Sequence, residues 1–175
     1  MPLPAEPGTY ALLLASAAES DINVGSFGRL QVVSGCYVYV GSAHGPGGLA
    51  ARVSRHQATA KKLRWHIDYL RAATDLVAVW YTVDQNRQEC RWAEVMSRLR
   101  GAAVPMRGFG ASDCDCRSHL FYFVKPPSYR AFRQRVRDTI AGHAPIRCVT
   151  CGRRGRDHHG STTVRGGFSG RMRPW

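Results

Sequence analysis

The sequence predicts a small α/β domain of the α+β type, in which helices flank a sheet. Three observations carry this. Short apolar runs rich in β-branched and aromatic residues recur along the chain. Stretches with apolar residues at helical spacing lie between them. Glycine and proline punctuate the boundaries.

Gly8 to Ala15 (Gly-Thr-Tyr-Ala-Leu-Leu-Leu-Ala) reads as a first strand entering the core. Asp21 to Val24 and Arg29 to Val33 flank Gly25-Ser-Phe-Gly28, which fits a hairpin with a glycine-rich turn. Gly35 to Ala43 is a strand with tyrosines at alternate positions, Tyr37 and Tyr39, and Gly45-Pro-Gly-Gly48 breaks the chain after it. A helix of about Leu49 to Ala58 follows, with Leu49 and Val53 as its apolar stripe. Leu63, Ile67 and Leu70 recur at helical spacing, and Asp75 to Thr82 forms a third buried strand. Arg87 to Leu99 is the clearest amphipathic helix, with Trp92, Val95, Met96 and Leu99 on one face and Gly101 as its stop. Ser118 to Val124 is a fourth strand. Ser128 caps a last helix bearing Tyr129, Phe132, Val136 and Ile140.

The 175 residues suffice for one domain and a tail, and the hydrophobic fraction of 44% is ordinary. The net charge of +13 is not ordinary. Residues 147 to 175 hold seven Arg and one Asp, so +6 belongs to a Gly/Arg-rich segment and +7 to the body. A basic body favours a polyanionic partner, nucleic acid before membrane. No stretch approaches the roughly 18 apolar residues of a membrane span. Ala11 to Ala18 lacks a basic start and follows Pro2 and Pro4, so secretion is not expected, and the chain is read as cytoplasmic with reduced thiols or metal-bound cysteines. No obligate protein partner is evident.

At about 100° per residue, Arg52 and His56 lie roughly 40° apart along one helix edge, where they either clamp a phosphate or serve as a surface Arg and a buried His. Tyr10 and Tyr39 are core residues unless their hydroxyls reach a cleft. With Trp92 at 0°, Glu89 falls near about 60°, at the edge of the apolar stripe, and Glu94 near about 200°, in solvent. Lys61, Lys62 and Arg64 form a basic connector. Cys114-x-Cys116-x2-His119 is too tight for the usual zinc spacing, though Cys90 could join from afar, and Cys148-x2-Cys151 with His158-His159 is half a zinc motif, so structural zinc is disfavoured at both. Asp113 and Asp115 read as turn residues.

Gly8-Thr9-Tyr10, Tyr39-Val40-Gly41-Ser42-Ala43, Arg52, His56 and a helix carrying Glu89 resemble the GIY-YIG nuclease superfamily. Residues 8 to 124 are most similar to its branch catalogued as domain of unknown function 123. The segments that match it are Gly35 to Ala43, Arg55-His56, Trp65 to Leu70, Glu89-Cys90 and Phe109 to Leu120. The resemblance implies a central, mostly antiparallel three-stranded sheet flanked by helices. It also implies a metal-dependent endonuclease cutting DNA, in repair or processing. The implied catalytic set is Tyr10, Tyr39, Arg52, His56 and Glu89, with Glu89 holding Mg²⁺ or another divalent cation. Arg55, Lys61, Lys62 and Arg64 would contact nucleic acid. Cys90, Asp113, Cys114, Cys116 and His119 form a candidate site particular to the branch.

Two departures stand out. Tyr10 and Tyr39 are 29 positions apart, so the hairpin is an insertion between motif strands, and Thr9 replaces the motif's Ile, a minor change. The expected organisation is a nuclease-like domain over 1–125, a packed helix over 126–145 and a disordered basic tail over 146–175. The competing functional readings are a non-catalytic nucleic-acid-binding module and a zinc-stabilised interaction domain.

Overall fold

A computed structural model describes residues 3–58 and 63–152 of the chain. Its elements follow the predicted order. β1 (Gly8–Ser16) leads to a hairpin of β2 (Ser20–Asn23) and β3 (Arg29–Val32) joined through a single 3-10 turn, then to β4 (Gly35–Ala43). α1 (Gly48–Gln57), α2 (His66–Ala72), β5 (Asp75–Val83), α3 (Glu89–Ser97), β6 (Leu120–Phe123), α4 (Tyr129–Thr139) and β7 (Arg147–Thr150) complete it.

The sheet has five strands, not three. Its order is β6-β4-β1-β5-β7, and every neighbouring pair is antiparallel. β1, β4 and β5 form the expected centre, and two four-residue edge strands widen it. The edge strand β7 also corrects the tail boundary. Arg147 to Thr150 pairs with Tyr81 to Ala78, and Ile146 just before it is buried, its carbonyl accepting from Tyr129 Oη at 2.6 Å. An edge strand with Arg, Cys and Thr facing water shows no apolar alternation, which is why the composition of this stretch conceals it. The remainder of the expected tail, from residue 153, lies outside the described residues.

Both faces of the sheet are covered, which is why β1 is a near-continuous apolar run instead of an alternating one. On one face Tyr10, Leu12, Leu14 and Tyr37 meet Leu49 and Val53 of α1, Ile67 and Leu70 of α2, and Val24, Leu30 and Val32 of the hairpin. On the other, Leu13, Val38, Val40 and Trp80 meet Trp92, Val95 and Met96 of α3 and Phe132 and Val136 of α4. Trp92, fully buried, packs edge-on against Phe132 at 5.1 Å and donates to His143 Nε2 at 2.8 Å.

The insertion does not separate the motif strands. Tyr10 stands opposite Gly41 and Leu12 opposite Tyr39, in an unbroken nine-residue register. The hairpin between them folds back as its own two-stranded sheet, and its Phe27 lies on His66 with ring centroids 4.5 Å apart. α1 begins without a side-chain cap, because the backbone amides of Leu49 and Ala50 donate to the carbonyls of Glu6 and Pro4. Gly48 makes that approach feasible. Its φ is +52°, and a Cβ there would stand 2.2 Å from the Glu6 carbonyl oxygen.

Candidate active site

One end of the sheet opens into a cleft of about 330 Å³. Tyr10 of β1, Tyr39 of β4, Arg52 and His56 of α1, and Glu89 at the start of α3 all line it. These five residues come from four elements and from helices on both faces of the sheet.

β1 explains how groups from opposite faces meet. Tyr10 points to the face of α1, where its hydroxyl lies 2.8 Å from His56 Nε2. Thr9, its neighbour, points to the other face and is fully buried. The Thr9 hydroxyl accepts from the Gln88 amide at 3.1 Å, which fixes the residue before Glu89 to the central strand. Thr9 is therefore a positioning group where an isoleucine would offer no acceptor, and its place in the motif is not a minor departure.

Tyr10 is buried, and burial first, then nearby Tyr39, raises its phenol well above the ordinary value. Burial likewise pushes Tyr39 up to about 12, opposed by the Arg52 guanidinium. Both phenols keep their protons at neutral pH and act there as hydrogen-bond donors. The hydroxyl of Tyr10 and Nε2 of His56 share a hydrogen bond of 2.8 Å, in which the phenol donates when Nε2 carries no proton.

Gly41 is what lets Tyr10 stand in place. A Cβ on Gly41 would lie 2.6 Å from the Tyr10 hydroxyl and 2.7 Å from its Cζ. Gly41→Ala is therefore expected to displace the ring, at a cost of about 1–3 kcal/mol in stability. The Tyr10–His56 contact breaks in that variant. Urea denaturation and the Tyr10 ring signals in an NMR spectrum check both effects.

Trp65 forms the cationic wall. The Arg52 guanidinium lies 4.5 Å from its ring centroid and that of Arg55 4.2 Å. The two arginines differ in use. Arg55 Nη2 donates to the buried Asp68 at 2.9 Å, which ties α1 to α2, while its side chain, expected to contact nucleic acid, stays 30% exposed. Among the described residues Arg52 forms no ion pair, and its guanidinium faces the cleft. Arg64 is exposed, and its backbone amide also donates to Asp68. Lys61 and Lys62 lie outside the described residues.

Glu89 meets the requirements of a cation ligand. Its Oε1 stands 3.8 Å from Arg87 Nη1, while Oε2 is buried and has no hydrogen-bond partner. A buried carboxylate oxygen with nothing to accept is costly, and a hard cation is one group that would supply what it lacks. Glu94, as its helical angle predicts, is exposed and pairs with Arg98 at 2.6 Å.

The structure adds cleft residues that spacing did not reveal: His44, Trp65, Arg87 and Gly110. Both ring nitrogens of His44 are buried without a partner. Its position directly after the strand Gly35–Ala43 was the available signal. Asp113 and His119, expected in a branch-specific site, also line the cleft.

Cys90, Cys114, Cys116 and His119 come together despite their tight and distant spacings, a convergence that spacing alone argued against. One ligand atom from each lies within 4.8 Å of all the others, and the set can hold a metal ion. Cys148 sits on β7 and Cys151 just beyond it, while His158 and His159 fall outside the described residues. A larger groove of about 990 Å³ on the far side of the sulfurs contains none of the five catalytic candidates. Among the described residues, no helix is long and apolar enough to cross a membrane.

A family model described as Domain of unknown function DUF123 matches residues 9–141. Comparisons with curated proteins and with solved structures give no match. The match takes in every residue of the cleft and both halves of the cysteine cluster, so the chain belongs to the DUF123 family, a GIY-YIG-like branch.

Proposed function

We propose that the protein is a metal-dependent endonuclease that hydrolyses phosphodiester bonds in DNA, with a place in repair or processing. The observation that carries the reading is the convergence of Tyr10, Tyr39, Arg52, His56 and Glu89 on one cleft, with a buried Glu89 oxygen left unpartnered there.

Glu89 would hold a divalent cation, Mg²⁺ first, which when bound polarises the phosphoryl oxygen and offsets its charge. The chain's own groups do the rest. Arg52, backed by the Trp65 ring, presents its fork of donors to the non-bridging oxygens of the phosphate. Tyr39 donates a hydrogen bond into the same space. The attacking water passes a proton to the Tyr10 hydroxyl as that hydroxyl passes its own to His56 Nε2, 2.8 Å away. The water oxygen bonds to phosphorus, the P–O bond to the leaving strand breaks, and the departing oxygen takes a proton from solvent while His56 later returns its own to solvent. The basic body, +7 without its C-terminal segment, draws the polyanion in.

Purified full-length protein is expected to nick supercoiled plasmid in Mg²⁺ and to stop on adding EDTA. Salt-dependent DNA binding with no nicking in any divalent metal would instead make it a non-catalytic binding module.

A further inference from the structure

We propose that Cys90, Cys114, Cys116 and His119 bind a single zinc ion, and that this ion clamps the first turn of α3 to the loop of residues 109–119. The site is separate from the divalent-cation site at Glu89 and does not depend on the nuclease reading.

Geometry comes first. With Zn–S of about 2.3 Å and Zn–N of about 2.0 Å, a tetrahedral ion sets S···N edges of roughly 3.5 Å and S···S edges of roughly 3.8 Å. His119 Nε2 lies 3.5 Å from Cys114 Sγ and 4.0 Å from Cys90 Sγ, and all four donor atoms fall within 4.8 Å of one another. That dimension fits one ion at the centre of four ligands. A binuclear cluster would spread its ligands across two centres.

The donor set selects the metal. Three thiolates and an imidazole favour zinc over Mg²⁺ or Ca²⁺, which take oxygen. Binding releases three thiol protons to solvent and leaves a centre with one net negative charge. All three cysteines are free of disulfides.

The surroundings need such a staple. Between the end of α3 at Ser97 and the start of β6 at Leu120 there is no regular helix or strand, a long stretch for an ordered domain. The loop is tied internally by Gly108 N to the Arg117 carbonyl and His119 N to the Phe109 carbonyl, and to α2 by Gly110 N to His66 Nδ1 at 3.2 Å. Nothing in those bonds reaches α3. Cys90 supplies that link, because it follows Glu89 in the first turn of α3.

The cluster therefore forms a partition. Its cysteines face the larger groove, while His119 and Asp113 face the cleft that holds Glu89. His119 directs Nε2 to the sulfurs, so it serves this site as a ligand. The centre positions Glu89 and Asp113 relative to each other without touching the reacting atoms.

The test is elemental analysis of the full chain, purified without chelator, with cobalt substitution. The wild type is expected to carry about one zinc per chain. Its cobalt form should show thiolate-to-metal charge transfer and the visible bands of a tetrahedral ion. Cys90→Ser and Cys116→Ser should each lower zinc retention about tenfold or more. His119→Cys should keep the metal and shift the cobalt spectrum toward four thiolates, which answers the objection that a serine variant has merely unfolded. The Cys148→Ser/Cys151→Ser double variant should keep full zinc. Removing zinc should speed amide exchange at residues 89–93 and 109–119 and leave β1 protected. Wild-type protein that neither holds nor takes up zinc would overturn the proposal, as would iron with labile sulfide in its place, or zinc lost only from the Cys148/Cys151 variant. A chain that binds zinc here but cuts nothing supports this site and sinks the nuclease reading alone.

Discussion

Glu89→Gln is expected to slow Mg²⁺-dependent plasmid nicking by about 10²–10³-fold while leaving the fold as stable as before, or more so. The two halves come from one fact. Oε2 of Glu89 is buried with no partner, and its side chain is only 14% exposed. A buried acceptor without a donor destabilises by about 1–3 kcal/mol. Removing the charge lowers that cost, since the 3.8 Å approach of the largely exposed Arg87 offers little in exchange. A residue kept for the fold would show the opposite pattern. Nicking rates and urea midpoints on the same preparations separate the two. Unchanged cleavage would remove Glu89 from the site, and a lower midpoint would show that its carboxylate supports the structure.

Asp68→Ala is expected to cost about 3 kcal/mol of stability, with the cleft opening on the Trp65 side. Asp68 is 1% exposed, and Oδ2 accepts from Arg55 Nη2 at 2.9 Å and from the amides of Arg64 and Trp65 at 3.0 Å each. Truncation leaves two backbone donors and part of a guanidinium without their acceptor. Because the Arg55 side chain is 30% exposed, water recovers some of that loss, which keeps the figure near the low end for a broken buried pair. Trp65 then loses its anchor at the start of α2, and with it goes the platform under Arg52. Chemical denaturation measures the first effect. Quenching of tryptophan fluorescence by iodide, weak in the wild type and stronger in the variant near Trp65, measures the second. An unchanged midpoint would mean that the Asp68 bonds contribute nothing net.

Much of the cleft was legible because periodicity fixes direction. The 100° step put Arg52 and His56 on one edge of α1, and chose Glu89 over Glu94 on α3, where the structure has Glu89 in the cleft and Glu94 in solvent. What periodicity does not carry is contact between elements. The commitment of Arg55 to Asp68 depends on how α1 and α2 pack, 13 residues apart in sequence. The cysteine cluster was discounted on spacing, since Cys114, Cys116 and His119 are crowded and Cys90 is remote. Their meeting depends on how a loop without regular structure folds against α3. β7 was missed for a third reason. It is held by backbone bonds to β5 at an exposed edge, and such bonds leave almost no trace in side-chain type.

The central place of β1 governs when the cleft can exist at all. Its partners lie far along the chain: Tyr10 pairs with Gly41 on one side and Tyr81 on the other. Closing such distant pairs is the slow part of folding, because loop entropy must be overcome before the contacts form. A growing chain therefore has no assembled cleft until β5 has emerged and docked beside β1. Thr9 cannot anchor Gln88 before then, because Gln88 follows β5. Assembly of the cleft is thus timed by the sheet, and a partly folded chain carries Tyr10, His56 and Glu89 as unconnected parts.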